Sequence, residues 1–276
     1  MYLTTLLLLM LGLCAGSFVN ALVWRVHQTE LRAKDSQLTA GKNLSIFTGR
    51  SQCPKCGHTL AARDLIPVLS WLFLRGKCRY CGRAISKQYP LVELTAGMVF
   101  ALSYVFWPGP TEPVLIATWL LVSVGLLAFL VYDARWMLLP NRILYPTLAV
   151  AITGRAAYIL FSEPDKLHAL TQWVLAIAVT SGFFWLLYHI SSGKWIGYGD
   201  VRLGLITGTV LATPGLGTLM IFAASLLGTL FVLPALIRGR QKMTSKLPFG
   251  PFLITATWLV LLFGQSIINR YLDLLP

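Results

Sequence analysis

Residues 113–132, PVLIATWLLVSVGLLAFLVY, run for 20 positions without a charged side chain. A helix that crosses the hydrocarbon core of a bilayer needs about 20 mostly apolar residues, so a run like this one points to lipid. Comparable runs occur at roughly 2–24, 90–107, 143–161, 169–191, 201–213, 215–237 and 249–270. In lipid the backbone must satisfy its own polar groups, which makes these runs helices. The pattern predicts an all-α integral membrane protein of about eight transmembrane helices. Composition agrees: charged residues are 12% of the chain, about half the ~25% usual in a soluble domain.

The formal net charge of +13 raises the question of nucleic acid. Its distribution answers it. Twelve of the 23 Lys and Arg lie between Arg25 and Lys87. Others sit at Arg135, Arg142, Lys194, Arg202, Arg238, Arg240, Lys242 and Lys246, and the alternate connections hold only Arg155, Lys166 and Arg270. This is the positive-inside asymmetry, which places the basic connections in the cytoplasm and excludes a nucleic-acid surface. It also puts both termini outside. Arg155, inside the fourth run, is expected to snorkel to the outer interface. The first run has no Lys or Arg before Arg25. It therefore lacks the basic start of a signal peptide and is expected to stay as a helix.

The sixth run, VRLGLITGTVLAT, is short and ends at Pro214-Gly215. Arg202 and Arg238 are both expected in the cytoplasm, so the chain between them crosses twice or not at all. Two short crossings are expected. The resulting organisation is a first transmembrane helix at 1–26, a cytosolic loop at 27–88 and a polytopic helical core at 89–276.

The loop contains CPKCG and CRYCG, with Cys53 and Cys56 in one knuckle and Cys78 and Cys81 in the other. Twenty-one residues separate the pairs, slightly beyond the usual ribbon spacing of about 15–20. Four thiolates bind zinc tetrahedrally and stabilise a loop too small for its own core. Gly57 and Gly82 suit a tight turn beneath the metal. Two disulfides or a redox pair are the alternatives, and the reducing cytosol disfavours them. A four-cysteine shell is closed, so the zinc is expected to be structural. His58 is expected to be a surface histidine, and Cys14, in the first helix, a packing residue.

Only ten acidic residues occur. Glu30, Asp35 and Asp64 lie in the loop, and Glu112, Glu163, Asp165 and Asp273 lie in outer connections or the tail. Glu93, Asp133 and Asp200 remain at or inside apolar runs. Asp133 ends the third run and Asp200, in GYGD, opens the sixth. The charge rule places both at the cytoplasmic membrane face. Two adjacent carboxylates share one proton. The ionised one takes a proton from water and the protonated one donates to the carbonyl oxygen under attack, which is acid–base peptide hydrolysis. Gly197 and Gly199 are expected to allow a tight turn and close approach of another backbone. Each aspartate alone also reads as an interfacial cap.

These residues resemble a known family. GSFVNALVWRV, the two knuckles with SWLFLRGKCRYCG, QYPLVELTAG, DARWMLLPN, GYGDVRLG and KLPFGPFL at 246–253 are similar to the type IV prepilin peptidases, the leader peptidase/N-methyltransferases among the GxGD aspartic membrane peptidases. The resemblance implies that Asp133 and Asp200 are the catalytic pair. It implies prepilin or pseudopilin substrates with a basic leader, cut on the cytoplasmic side, typically after a glycine. Bifunctional members then methylate the new amine with S-adenosylmethionine, an activity associated with the cysteine loop and with residues such as Glu93. It further implies a bacterial cytoplasmic membrane and partners in a pilus or type II secretion machinery. Many members have Lys where this chain has Arg202, and Asp where it has Asn141. An electrostatic role survives the first change, and the second makes Asn141 an unsuitable catalytic group. The rival readings are a GxGD protease with another membrane substrate, a proton- or cation-coupled transporter, and a scaffold.

Overall fold

A computed structural model describes residues 2–34, 45, 49–108, 112–238 and 248–274. Asp35, Arg240, Lys242 and the first two residues of KLPFGPFL lie outside the described residues. Helices form at Tyr2–Lys34 (α1), Leu69–Phe73 (α2), Gln88–Val105 (α3), Pro113–Trp136 (α4), Asn141–Phe161 (α5), Lys166–Ile190 (α6), Tyr198–Leu211 (α7), Pro214–Ile237 (α8) and Gly250–Asp273 (α9). Among the described residues, the only β pairing is two isolated bridges in the cysteine loop. Six helices, α1, α4, α5, α6, α8 and α9, are long and apolar enough to cross a membrane by length and composition. The protein is a multi-pass helical membrane protein. The chain divides into two compact units, Met1–Val105 and Phe106–Pro276.

In the first unit α1 packs on α3. A Cβ on Gly12 would come within 2.6 Å of the Ala96 carbonyl oxygen, and one on Gly16 within 2.6 Å of the Glu93 Cα. Small residues let membrane helices approach this closely, and packing then replaces the hydrophobic effect as the driving force. Gly16→Ala is expected to separate the pair and cost about 1–3 kcal/mol, read as lower thermal stability in detergent. The apolar run ends near Val23, yet α1 continues to Lys34. The extension, HQTELRAK, is rich in straight-chain helix formers. The end of an apolar run marks where lipid ends, and here the helix outlives it. Arg25 lies at this exit, buried, and donates to the backbone oxygens of Ser45 (3.1 Å) and Gly49 (2.7 Å).

In the second unit α4 packs on α5, and α6 on α7 and α8. Gly125 and Gly154 lie against Thr147 and Thr118 with no space for a Cβ. Across α6 and α7, Thr180 donates to the Gly204 oxygen (2.8 Å) and Ser181 to the Val201 oxygen (2.9 Å). α7 has 14 residues, about 21 Å at 1.5 Å per residue, well short of a ~30 Å hydrocarbon core. Its buried residues include Asp200, Thr207 and Thr209. Protein covers these polar groups, as membrane depth demands. α3 and α7, both expected to cross, fall outside the six by these criteria. α3 opens with polar residues and carries Glu93, and α7 is too short.

Candidate active site and metal centre

Asp133 lies in the last turn of α4 and is 5% exposed. The helix closes immediately after it: Met137 turns left-handed at φ 53 and returns its N–H to the Asp133 oxygen at 2.9 Å. The following Leu138-Leu139-Pro140 links α4 to α5. The Asp133 carboxylate accepts the Gly250 N–H, one of the unpaired donors at the start of α9. A Cβ on Gly250 would fall 2.5 Å from Asp133 Oδ2. That start is anchored by Phe249, whose ring meets Phe184 of α6 at 6.0 Å.

Asp200 lies in the first turn of α7 and is 8% exposed. The helix cap is Gly197, so Asp200 is the third helical residue and not the cap itself. Its carboxylate accepts the Gly197 N–H, while its own N–H donates to the Gly197 oxygen at 3.1 Å. Gly197 has φ −79, a conformation open to any residue, and space for a Cβ. Gly199 is different: a Cβ there would meet Leu139 Cδ1 at 2.8 Å. Gly199 therefore lets the α4–α5 linker lie against the start of α7. The Asp133 charge bears on Asp200, which places the two carboxylates within electrostatic reach. Two buried acids from distant stretches of chain converge, each held by a backbone N–H at a helix start.

Arg202, one turn-half further along α7, donates from Nη1 to Asn141 Oδ1 at 2.7 Å and lies over the Tyr198 ring at 4.8 Å. Its partner is the residue that sequence reasoning set aside. The sequence signal was present in the family's Asp–Lys pattern, which here becomes Asn–Arg. Gly250 was also missed as part of the site. It sits in the quoted KLPFGPFL motif, yet only the fold aims its N–H at Asp133. Because Gly250 leaves no space, Gly250→Ala is expected to push the Asp133 carboxylate aside. Displacement on the order of 1 Å costs about 100-fold in turnover, with KM nearly unchanged, as steady-state peptide cleavage will show.

The four loop cysteines converge. Their sulfurs all lie within 4.8 Å of one another and could hold a metal ion. Both knuckles have the same backbone. Cys53 N–H donates to His58 O (3.0 Å) and Gly57 N–H to Cys53 O (2.9 Å). Likewise Cys78 N–H donates to Arg83 O (2.8 Å) and Gly82 N–H to Cys78 O (2.9 Å). Gly57 and Gly82 take φ 73 and 67, as the knuckle requires. Tetrahedral zinc with Zn–S near 2.3 Å separates its sulfurs by about 3.8 Å, so this donor set fits zinc. Burial pushes the Cys53 thiol up, but the N–H groups of Cys56 and Lys55 and the neighbouring thiols outweigh it and bring it down to about 7. The Arg83 N–H pulls Cys81 down, while burial and the other three thiols carry it up to about 11. His58 stays outside the cluster and stacks on Tyr80 at 3.7 Å.

Asp64 latches the two halves of the loop. It accepts from Arg79 Nε (2.7 Å), Tyr80 Oη (3.0 Å) and the Ala61 N–H (3.2 Å). Burial raises its carboxyl, but these bonds and the Arg79 charge hold it below the usual range. Asp64→Ala is expected to speed metal loss to a chelator about fivefold at pH 7, the equivalent of ~1 kcal/mol for a partly exposed latch.

Glu93 belongs to the first unit. It is buried, and accepts the Val68 N–H at 2.7 Å and the Ser17 hydroxyl. Cys14, expected to be a packing residue, is exposed instead and lines a cleft with Ser17, Phe18, Leu65 and Pro67.

A buried aspartate pair at two helix ends of a multi-pass helical protein is an arrangement able to carry acid–base hydrolysis. The description of the Bacterial Peptidase A24 N-terminal domain matches residues 10–107, and that of the Type IV leader peptidase family matches residues 119–233. The prepilin leader peptidase/N-methyltransferase of Stutzerimonas stutzeri is 32% identical over 96% of this chain and 92% of its own. The protein of the same name from Bacillus subtilis (strain 168) is 35% identical over 84% of this chain and 89% of its own. No solved structure matches. This chain belongs to the type IV leader peptidase family.

Proposed function

We propose that this protein is an aspartic endopeptidase that removes the leader from type IV prepilins or type II pseudopilins at the cytoplasmic face of the bacterial cytoplasmic membrane. The observation that carries this reading is the convergence of Asp133 and Asp200, buried and within electrostatic reach, in a chain of this family. One carboxylate takes a proton from water as it attacks the scissile carbonyl. The other donates its proton to the developing oxyanion. Collapse of the tetrahedral intermediate then expels the amine, which takes up a proton from the dyad. The Gly250 and Gly197 N–H groups hold the two carboxylates, and the Gly199 approach keeps the α4–α5 linker against α7. Arg202 ties Asn141, at the start of α5, to the same helix.

Substrate geometry follows from the bilayer. A basic leader stays in the cytoplasm while the apolar pilin segment stays in lipid. The scissile bond then lies at the interface, where the ends of α4 and α7 are expected. In this reading both termini face outward and residues 27–88 face the cytoplasm. Cys53, Cys56, Cys78 and Cys81 hold a zinc ion that stabilises the loop and takes no part in proteolysis. Partners are the bilayer, the substrate and a pilus or type II secretion machinery.

N-methylation of the new terminus, with S-adenosylmethionine as donor, is the second activity in this reading. It is supported by the names of the relatives. Glu93, which the family resemblance associates with this activity, is buried and accepts the Val68 N–H at 2.7 Å, with acceptor capacity left on its carboxylate.

The test is direct. The purified protein is mixed with a prepilin from the same genome, with and without S-adenosylmethionine, and the product is weighed by mass spectrometry. A mass loss equal to the leader supports the peptidase, and an added methyl group supports the second activity. An intact prepilin alongside folded, metal-loaded protein rejects both.

A further inference from the structure

Residues 65–74, LIPVLSWLFL, form an uncharged stretch inside the basic loop. The peptidase reading makes no use of it. Its backbone is tied down from one side. Val68 N–H donates to Glu93 at 2.7 Å, and the Trp71 indole donates to the Ile85 oxygen at 3.2 Å. The other side carries apolar side chains into the open. Ile66 is 47% exposed, Leu69 50%, Leu72 56% and Phe73 83%. Four large apolar side chains exposed within eight residues mark an interaction site.

Two observations identify the occupant. The first is depth. Leu65 and Pro67 line a cleft that runs along α1 from Cys14, Ser17, Phe18 and Ala21 to Arg25, with Ser51 at its side. Ser17 precedes Arg25 by eight residues, about 12 Å along the helix towards its apolar end. Val68 likewise bonds Glu93, within the apolar stretch of α3 rather than at its polar start. The segment therefore lies beside turns of α1 that fall inside its apolar run. The second is charge. Arg63, Arg75 and Lys77 flank it and are exposed. Of the two acids beside it, Asp64 is engaged by Arg79 and Tyr80, and Glu93 is buried and accepts the Val68 N–H. A second copy would bring the same positive rim and be repelled. Anionic phospholipid supplies both acyl chains for the apolar face and phosphate for the rim.

We propose that residues 65–74 are an interfacial membrane anchor. Ile66, Leu69, Leu72 and Phe73 enter the acyl region of the leaflet, while Arg63, Arg75 and Lys77 reach anionic headgroups. The anchor pins the loop to the surface four residues before Cys78, so the metal centre is held at the membrane. The inference stands independently of which substrate the enzyme cleaves.

The test places a photoreactive side chain where the anchor protrudes. The full-length Phe73→p-benzoylphenylalanine variant is reconstituted in vesicles of equal phosphatidylcholine and phosphatidylglycerol and irradiated. Trypsin cuts after Arg63 and Arg75, so residues 64–75 emerge as one peptide whose adduct is weighed. Phospholipid adducts are expected, with phosphatidylglycerol favoured about threefold or more. The same label at Leu72 should give the same adducts, with metal content unchanged in both variants. Crosslinks to a second copy or to another part of the chain overturn the proposal, as does an absence of adducts. Equal capture of the two lipids overturns the headgroup contact.

Discussion

Asp200→Asn is expected to lower prepilin cleavage by about 1,000-fold or more while the protein stays folded, since general acid–base catalysis supplies roughly 10²–10⁴-fold per group. The fold tolerates the change because the Asn side-chain oxygen still accepts the Gly197 N–H. What is lost is the exchangeable proton and the ability to act as base. Asp133→Asn should behave alike, because its oxygen keeps the Gly250 N–H. The double variant should be no slower than either single one, as expected of groups that act as a unit. The measurement is leader loss by mass spectrometry at equal protein, with thermal stability recorded in parallel. Turnover within about tenfold of wild type in either variant sinks the dyad and moves the aspartates to a capping role.

Cys53→Ser is expected to abolish metal binding and unfold the knuckles, from about one zinc per chain to near none. The loop has few other sources of stability. Within residues 50–87 only Cys53, Gly76 and Cys78 are buried. Structural zinc in such small modules supplies free energy that is folding free energy. Elemental analysis reads the metal. Hydrogen exchange reads the fold, with protection of the Cys78 and Leu60 amides, which bond Arg83 and Ser51 oxygens, falling about 100-fold or more. Because the zinc is assigned no catalytic part, cleavage should fall far less than in the aspartate variants. Full metal content in the variant rules out the four-thiol site.

Several features needed only one dimension. Runs of apolar residues announce helices because lipid leaves the backbone no other partner. The lysine and arginine imbalance sets an expectation for which loops share a face without any knowledge of packing. The two CxxC knuckles were legible because an i, i+3 spacing with a following glycine is a local geometry, and Gly57 and Gly82 take the positive φ it needs. Equal membrane depth for Asp133 and Asp200 is an expectation of the same kind, from counting crossings.

Other features depend on which helix ends meet, and spacing along the chain does not set that. The Gly250 N–H reaches Asp133 only because α9 starts beside the end of α4. Gly199 and Leu139 touch only because the α4–α5 linker lies on α7. Arg202 finds Asn141 across the same seam. Residues 65–74 fall inside the expected cytosolic loop, and only the fold shows Val68 bonded to Glu93. The sequence by itself determined a helical membrane protein, its four-thiol cluster and its pair of acids. Tertiary structure decided which backbone donors hold those acids and which side chains brace them, because short-range contacts between helix ends are set by close packing in three dimensions.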